Sequence, residues 1–562
     1  MSKLIFVIED QIKEAILKAI GQAVTDNELP KEPMPPFRID IPNDRSHGDY
    51  AVNVAMVSAK AFALPPRKIA EFIVSHLNFN GTYLNRAKIA GPGFINFYLD
   101  NSFYSEVLKE IETEKENFGR STFGAGKKVM VEFVSANPTG PMHIGNARGG
   151  ALGDCLAAVL DFAGFDVTKE FYINDAGNQI DKFAASLSAR YLQIYKEDII
   201  FPEDGYHGAD ITERAKEFAE LYGDKFVDSA ISERNEALVD YALPLNIERL
   251  KSDLLEYRVN FDIWFRESSL YKSGELDKII AEMTEKGLTY QKDDALWYKA
   301  TEFGGEKDEV LIRANGNPTY FAADIAYHYN KLVARGYDTA INIWGADHHG
   351  HVARLKGAMS ALGIDERRLE IVLMQMVRLV RGGEVVKVSK RTGKSITLKT
   401  LLEEVPIDAA RFFFNLREPA THLEFDLDLA VEQSAQNPVY YVQYAHARIC
   451  SIVKALEGKG VHYKDCSVNE LAVLSTSEEK ELIRHLSTLT TDIIAAAKER
   501  NPSEITRYAT TLATLFHKFY NACRVIGEDV DLMSARLTLC ICTRTVLQNV
   551  LKLIKIEAPE SM

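Results

Sequence analysis

The sequence predicts an α/β protein: a doubly wound parallel-sheet domain with a helical insertion, an α+β module before it and an all-α bundle after it. Three observations lead there. The first is a strand–turn–helix–strand unit between Val129 and Ile173. The second is an apolar run, Thr339 to Trp344, that ends in the polar stretch Gly345-Ala-Asp-His-His-Gly-His351, as a buried strand does where it opens into a ligand crevice. The third is helical periodicity that persists from about residue 433 to the end.

Length and composition bound the answer. A chain of 562 residues has room for about three or four domains. No uninterrupted apolar run reaches the length of a membrane span, and the acidic, amphipathic start is not a secretory signal. Six cysteines without zinc spacing read as free thiols of a cytosolic protein, with no disulfide framework. The net charge of −14 argues against a broadly basic nucleic-acid surface. Any such contact needs locally clustered cations, as between Lys387 and Lys399.

Residues 1–110 read as the α+β module. An amphipathic helix over 5–22 is followed by a stiff connector at Pro30, Pro33, Pro35 and Pro36. A helical pattern runs through Ala51, Val54, Ala55 and Val57, and two short strands flank the Gly-Pro-Gly turn within 88–98. Residues 120–430 form the sheet domain. The run Val129–Val134, rich in β-branched and aromatic residues, is its first strand. Asn137-Pro138 and Thr139-Gly140-Pro141 break it. Apolar residues then recur at helical spacing from Ile144 to Ala163, Gly164 stops the helix, and Asp166–Ile173 is the next strand, completing a βαβ unit of the Rossmann-like kind.

The helix places His143 at its N-terminus, where free N–H groups and the helix dipole favour anions. Gly145, Gly149, Gly150 and Gly153 in its first turns imply a backbone approached closely by a ligand or by the sheet. Residues 185–285 read as a charged helical insertion with no legible chemistry. Short strands follow at Asp294–Tyr298 and Glu309–Arg313, then a helix on which Tyr320 and Asp324 share a face. Ile371–Val380 and Glu384–Val388 flank a turn at Arg381-Gly-Gly383 and lead into a polar loop holding Lys387, Lys390, Arg391 and Lys394. Residues 433–562 form the bundle, starting at the Asn437-Pro438 cap, with later helices near 478–500, 502–525 and 533–555.

His143-Ile-Gly-Asn146 and Lys387-Val-Ser-Lys-Arg391 resemble the HIGH and KMSKS signatures of the class I aminoacyl-tRNA synthetases, in the right order with a long insertion between them. The stretches around them, including Phe171–Ile180, resemble the bacterial-type arginyl-tRNA synthetase family along nearly the whole chain. The resemblance implies ATP-dependent ligation of L-arginine to tRNA(Arg) through arginyl-adenylate, with AMP and pyrophosphate released. It also implies Mg2+ carried with ATP, arginine activation that requires tRNA, and a cytoplasmic monomer with no membrane role. Asn146 departs from the signature, which usually has a second histidine there; it can donate a hydrogen bond but carries no charge.

Residue by residue, the resemblance assigns His143, Asn146, Lys387 and Lys390 to catalysis, and His143, Gly145, Asn146, Gly345, Asp347, His348, Ser389 and Lys390 to ATP. It puts Tyr320 and Asp324 at the guanidinium with Glu132 lining that end, and Ser135 and Asn137 at the amino-acid head group. Carboxylates suit this task because a guanidinium presents five donors in a fixed fork. His348, His349 and His351 also suggest a metal site, but nearby acid ligands are sparse, and no protein-bound metal is expected. The N-terminal module is expected to contact the tRNA elbow. On the bundle, Tyr440, Tyr444 and Arg448, with Tyr441 and His446 nearby, are candidates for unpaired bases. Two other readings stand beside this one. A class I enzyme for another amino acid would make Tyr320 and Asp324 structural. A catalytically inactive tRNA-binding protein is opposed by the intact His143, Lys387 and Lys390.

Overall fold

The computed structural model describes residues 3–42, 44, 47–387, 396–460, 464–527 and 529–562. Ser389, Lys390, Arg391 and Lys394 therefore lie outside the described residues. At the centre is a five-stranded sheet. Its strands are β1 (Lys128–Glu132), β2 (Asp166–Ile173), β3 (Ile263–Arg266), β4 (Thr339–Gly345) and β5 (Leu369–Met374), in the spatial order β3-β2-β1-β4-β5. Every neighbouring pair is parallel. The order reverses at β1, so the carboxyl ends of β1 and β4 border the crevice where such sheets bind ligands. Helix α1 (Ile144–Phe162) follows β1, α2 (Tyr320–Tyr329) precedes β4, and α3 (His349–Ala361) follows it.

Helix α1 is buried along nearly its whole length. A Cβ at Gly153 would drive into the ring of Phe133, just past β1, so the sheet rather than a ligand accounts for that glycine. Arg148 on the same helix is fully buried. Its guanidinium donates to the carbonyls of Gln375 (2.6 Å), Glu418 (3.0 Å) and Thr421 (3.1 Å), tying α1 to the end of β5. Burial pushes its pKa down to about 10.

Three expectations change. The stretch read as insertion up to 285 contains β3, the edge strand of the parallel sheet. The helices Asn178–Tyr195, Ala209–Tyr222 and Ile231–Glu256 precede it, packed around Phe183, Leu187, Tyr191, Ile211, Phe218 and Leu238. Ala51 lies in a strand, Tyr50–Val52, whose Tyr50 and Val52 point into the N-terminal module's core; the helix starts only at Val54. The run Ile371–Val380 is split at Gln375-Met376 into β5 and a separate strand, β6 (Val377–Arg381). Strand β6 pairs with β7 (Glu384–Val385) and with β8 (Leu423–Asp426).

The bundle is α-helical, with α4 (Pro438–Glu457), α5 (Ser503–Ala522) and α6 (Val530–Ile554) among its helices. Among the described residues, α6 is long and apolar enough by length and composition to cross a membrane. Arg536 and Arg544 interrupt its apolar run, and 72% of its most apolar 18-residue window is buried in the protein. Buried Arg411 locks sheet domain to bundle, donating to Asp154 Oδ2 (2.6 Å), Tyr257 O (3.0 Å) and Ile554 O (2.7 Å). At the other end, Arg484 pairs with Asp49 and donates to Tyr104 Oη (2.9 Å), joining bundle to N-terminal module.

Candidate active site

The chain leaves β1 through backbone that side chains rarely adopt. Val134 has φ +67° and Ser135 φ +40°, a strained conformation for a β-branched residue and of the kind that clusters at functional sites. Ser135 Oγ donates to Glu132 Oε1 (2.9 Å) and accepts from the Tyr172 N–H (3.1 Å), which holds the turn over the sheet end. Asn137 is exposed in the turn that follows. The next carbonyl, Pro138 O, is held by Asn246 Nδ2 (2.9 Å) from the insertion, and Arg214 Nε donates to Asn246 Oδ1 (3.1 Å).

His143 caps α1. Its Nδ1 accepts the Gly145 N–H (3.0 Å), and its own N–H donates to Asn146 Oδ1 (3.0 Å), a reciprocal capping box. With Nδ1 accepting, the neutral ring carries its proton on Nε2, which is left as the ring's donor at this strand end. The crevice wall takes water from the ring and lowers its pKa, while the Asp347 carboxylate opposes that shift. Asp347 and His348 sit just beyond β4, after Gly345, and both are exposed. The structure thus brings His143, Gly145, Asn146, Gly345, Asp347 and His348 to the two strand ends that border the crevice. Asn146 uses its oxygen in the cap, which gives the departure from the signature a structural role.

The chain after the second signature meets the first signature at residues 397–398. Lys387 is exposed beyond β7, where Val386 N–H donates to Leu379 O (2.8 Å). On the other side, Thr397 forms a β-bridge with His143, and Leu398 N–H donates to Met142 O (2.9 Å). Lys390 and Ser389 are outside the described residues, but the chain that carries them returns to the N-cap of α1.

At the β2/β3 side the crevice is lined by acids and phenols. Tyr320 is partly exposed, and its ring comes close to Gly177, where an added Cβ would lie 3.4 Å from it. Asp324, one turn along α2, accepts from His351 Nε2 (2.8 Å). Glu267, at the end of β3, is buried and receives hydrogen bonds from Tyr172 and from Tyr271 Oη (3.3 Å). Burial, then the charge of Asp324, pushes the Glu267 pKa up to about 7 against the pull of those two hydroxyls; Asp175 adds to the rise. Sequence reasoning missed Glu267. The signal was an acid directly after a β-rich run, Ile263-Trp-Phe-Arg266, at the carboxyl end of the sheet.

Glu132 is engaged differently from that group. It is buried, its Oε2 pairs with Lys331, and Lys331 Nζ also donates to Asn342 Oδ1 (3.1 Å). A π-helical turn, Asn330–Ala334, carries Lys331 into the sheet floor. Glu132 therefore arrives at the crevice already neutralised, with Ser135 as its link to the turn above.

On α4, Tyr440 and Tyr444 stack with centroids 6.3 Å apart and planes 5° apart. His517 stacks on Tyr444 at 5.8 Å. Arg448 lies 4.2 Å over Tyr520 and donates to Tyr444 Oη (3.1 Å). His446 does not join this ladder: it is buried, bonded through Nδ1 to the Pro559 carbonyl (2.8 Å).

The family description "tRNA synthetases class I (R), catalytic domain" matches residues 108–450. "Arginyl tRNA synthetase N terminal domain" matches 8–99, and "DALR anticodon binding domain" matches 442–562. An arginine–tRNA ligase of Caldanaerobacter subterraneus subsp. tengcongensis is 55% identical over 562 residues, covering 100% of both chains. Another, of Ruminiclostridium cellulolyticum, is 55% identical over 557 residues, 99% of each chain. The solved arginyl-tRNA synthetase of Thermus thermophilus shares the fold with TM-score 0.73 at 24% identity, over 97% of this chain and 99% of that one.

Proposed function

The chain belongs to the class I arginyl-tRNA synthetase family and charges tRNA with arginine using ATP, and we propose that the crevice between β1 and β4 is where its own residues do so. The arginine carboxylate attacks the α-phosphate of ATP, arginyl-adenylate forms, and pyrophosphate leaves. The terminal ribose hydroxyl of tRNA then takes the arginyl group and AMP is released. The first step gathers negative charge on phosphate oxygens, so positioned donors matter most.

His143 Nε2–H and the free N–H groups of α1 supply such donors, with Gly145 allowing close approach and Asn146 fixing the cap. Gly345, Asp347 and His348 hold the nucleoside end beyond β4. Lys387 and Lys390, with Ser389, meet the pyrophosphate from a loop whose far foot is joined to His143 at Thr397. Mg2+ carried with ATP would neutralise part of the phosphate charge, and the Asp347 carboxylate is the hard oxygen donor that could touch it from the protein side. Ser135 and Asn137, held by the strained turn, face the amino-acid head group.

The observation that carries the arginine assignment is the pair of carboxylates, Glu267 and Asp324, set among Tyr172, Tyr271 and Tyr320. Two in-plane acceptors suit a guanidinium, and an ammonium in the same place leaves acceptors unfilled. Glu132, spent on Lys331, shapes the floor under this end. The Tyr440, Tyr444 and Arg448 ladder takes unpaired anticodon bases, and the three domains span 1–110, 120–430 and 433–562. The enzyme works as a cytoplasmic monomer, apart from membranes, with α6 buried in the bundle. Charging assays offering arginine, lysine and citrulline separately test the ionic reading. Efficient charging of arginine alone supports it; citrulline, a neutral isostere, charged as well as arginine contradicts it.

A further inference from the structure

Of the three histidines at 348, 349 and 351, aminoacylation as described uses only the first. The last has a place of its own. His351 Nε2 lies 2.8 Å from Asp324 Oδ2, and its Nδ1 accepts from Arg354 Nε (2.7 Å). Arg354 in turn donates to Glu309 Oε1 (2.8 Å), on the strand Glu309–Ile312 of a separate small sheet. The His351 ring is held between Phe321 (centroids 5.8 Å) and Trp344 (5.5 Å), and its side chain is 14% exposed.

We propose that His351 is a positioning residue for arginine selection, clamping one oxygen of Asp324 so that the other meets the guanidinium in a fixed plane. The inference rests on the placement of Asp324 at the guanidinium given above. Arginine side chains only donate, so Arg354 Nε–H makes Nδ1 of His351 an acceptor. The imidazole is then neutral, with its proton on Nε2, and Nε2–H donates to Asp324 Oδ2. A proton on Nδ1 would point at the Arg354 Nε–H, so this contact and the one to Asp324 select a single tautomer. His351 thus gives Asp324 an orientation while leaving its negative charge for the ligand. A guanidinium fork depends on that orientation because its donors are planar and fixed. The small-sheet acid Glu309 and the crevice acid Asp324 are in this way two ends of one hydrogen-bonded chain.

Three variants test this: H351L, which removes the donor; H351Q, whose amide nitrogen reaches the Nε2 position; and D324N, which tests the underlying reading. Each is assayed for arginine KM and ATP KM in tRNA charging. H351L should raise the arginine KM about tenfold or more and leave the ATP KM within about twofold. H351Q should recover to within about threefold of the parent. If D324N raises the arginine KM and H351L does not, the clamp is overturned while Asp324 keeps its role. Should H351L shift both KM values equally, or H351Q fare no better than H351L, His351 is only packing and the proposal fails. An unchanged arginine KM in D324N removes the pocket assignment and the clamp with it.

Discussion

Lowering the pH from 8 to 6 should raise the arginine KM about tenfold and leave the ATP KM nearly level. The perturbation acts on Glu267, whose pKa burial and the neighbouring Asp324 and Asp175 carboxylates push up to about 7. The sign follows from which form binds. A guanidinium pairs with the ionised carboxylate, and a raised pKa means the proton is retained until the pH passes 7. The ionised fraction falls from about 0.9 at pH 8 to about 0.1 at pH 6, and the apparent affinity falls with the competent fraction. The substrate guanidinium stays charged throughout. His143, whose pKa is lowered, is placed at ATP rather than at arginine, so its titration does not enter the arginine KM. Steady-state charging at saturating tRNA, with arginine and ATP varied in turn, makes the measurement. Glu267→Gln should flatten the arginine profile at a high, pH-independent KM. A flat wild-type profile, or an unchanged slope in Glu267→Gln, refutes the reasoning.

Lys331→Met should cost about 3–5 kcal/mol of stability, because it strands the buried Glu132 carboxylate. Adding Glu132→Leu should restore much of that in denaturant unfolding, and no recovery would mean the pair is not coupled. Gly153→Ala gains about 1 kcal/mol of helix propensity but forces a Cβ into the Phe133 ring, an overpacking worth about 1–3 kcal/mol, so the melting temperature should fall rather than rise. Tyr444→Ala should weaken tRNA by about 1–3 kcal/mol, read as a raised tRNA KM with the arginine KM unmoved; an equal rise in both would take the ladder out of base recognition.

The helix behind His143 is legible because its punctuation is local: Asn137-Pro138 and Gly140-Pro141 before it, an apolar period through it, Gly164 after it. The glycines in it left two explanations open, and Gly153 is answered only by Phe133 across the fold. Strand β3 escapes notice because its apolar run is only three residues long, Ile263-Trp-Phe265, with charged Asp262 and Arg266 on either side. Glu267 escaped with it. The pairing of Glu132 with Lys331 joins residues far apart through a π-helical turn that a 3.6-residue period does not foresee. His446 shares a helix with Tyr440 and Tyr444, but the C-terminal segment at Pro559 covers its face. Local signals mark the strand ends of β1 and β4, whereas the group around Glu267 and Asp324 is assembled by contacts between distant segments.

One crevice should hold phosphate at His143 and a guanidinium between Glu267 and Asp324. A crystal structure with a non-hydrolysable arginyl-adenylate analogue tests it most directly. The guanidinium should lie within hydrogen-bonding distance, about 3 Å, of both carboxylates, with His143 Nε2 facing the phosphate mimic. Density that places the guanidinium away from Glu267 and Asp324, with the adenosine still beyond β4, would contradict it.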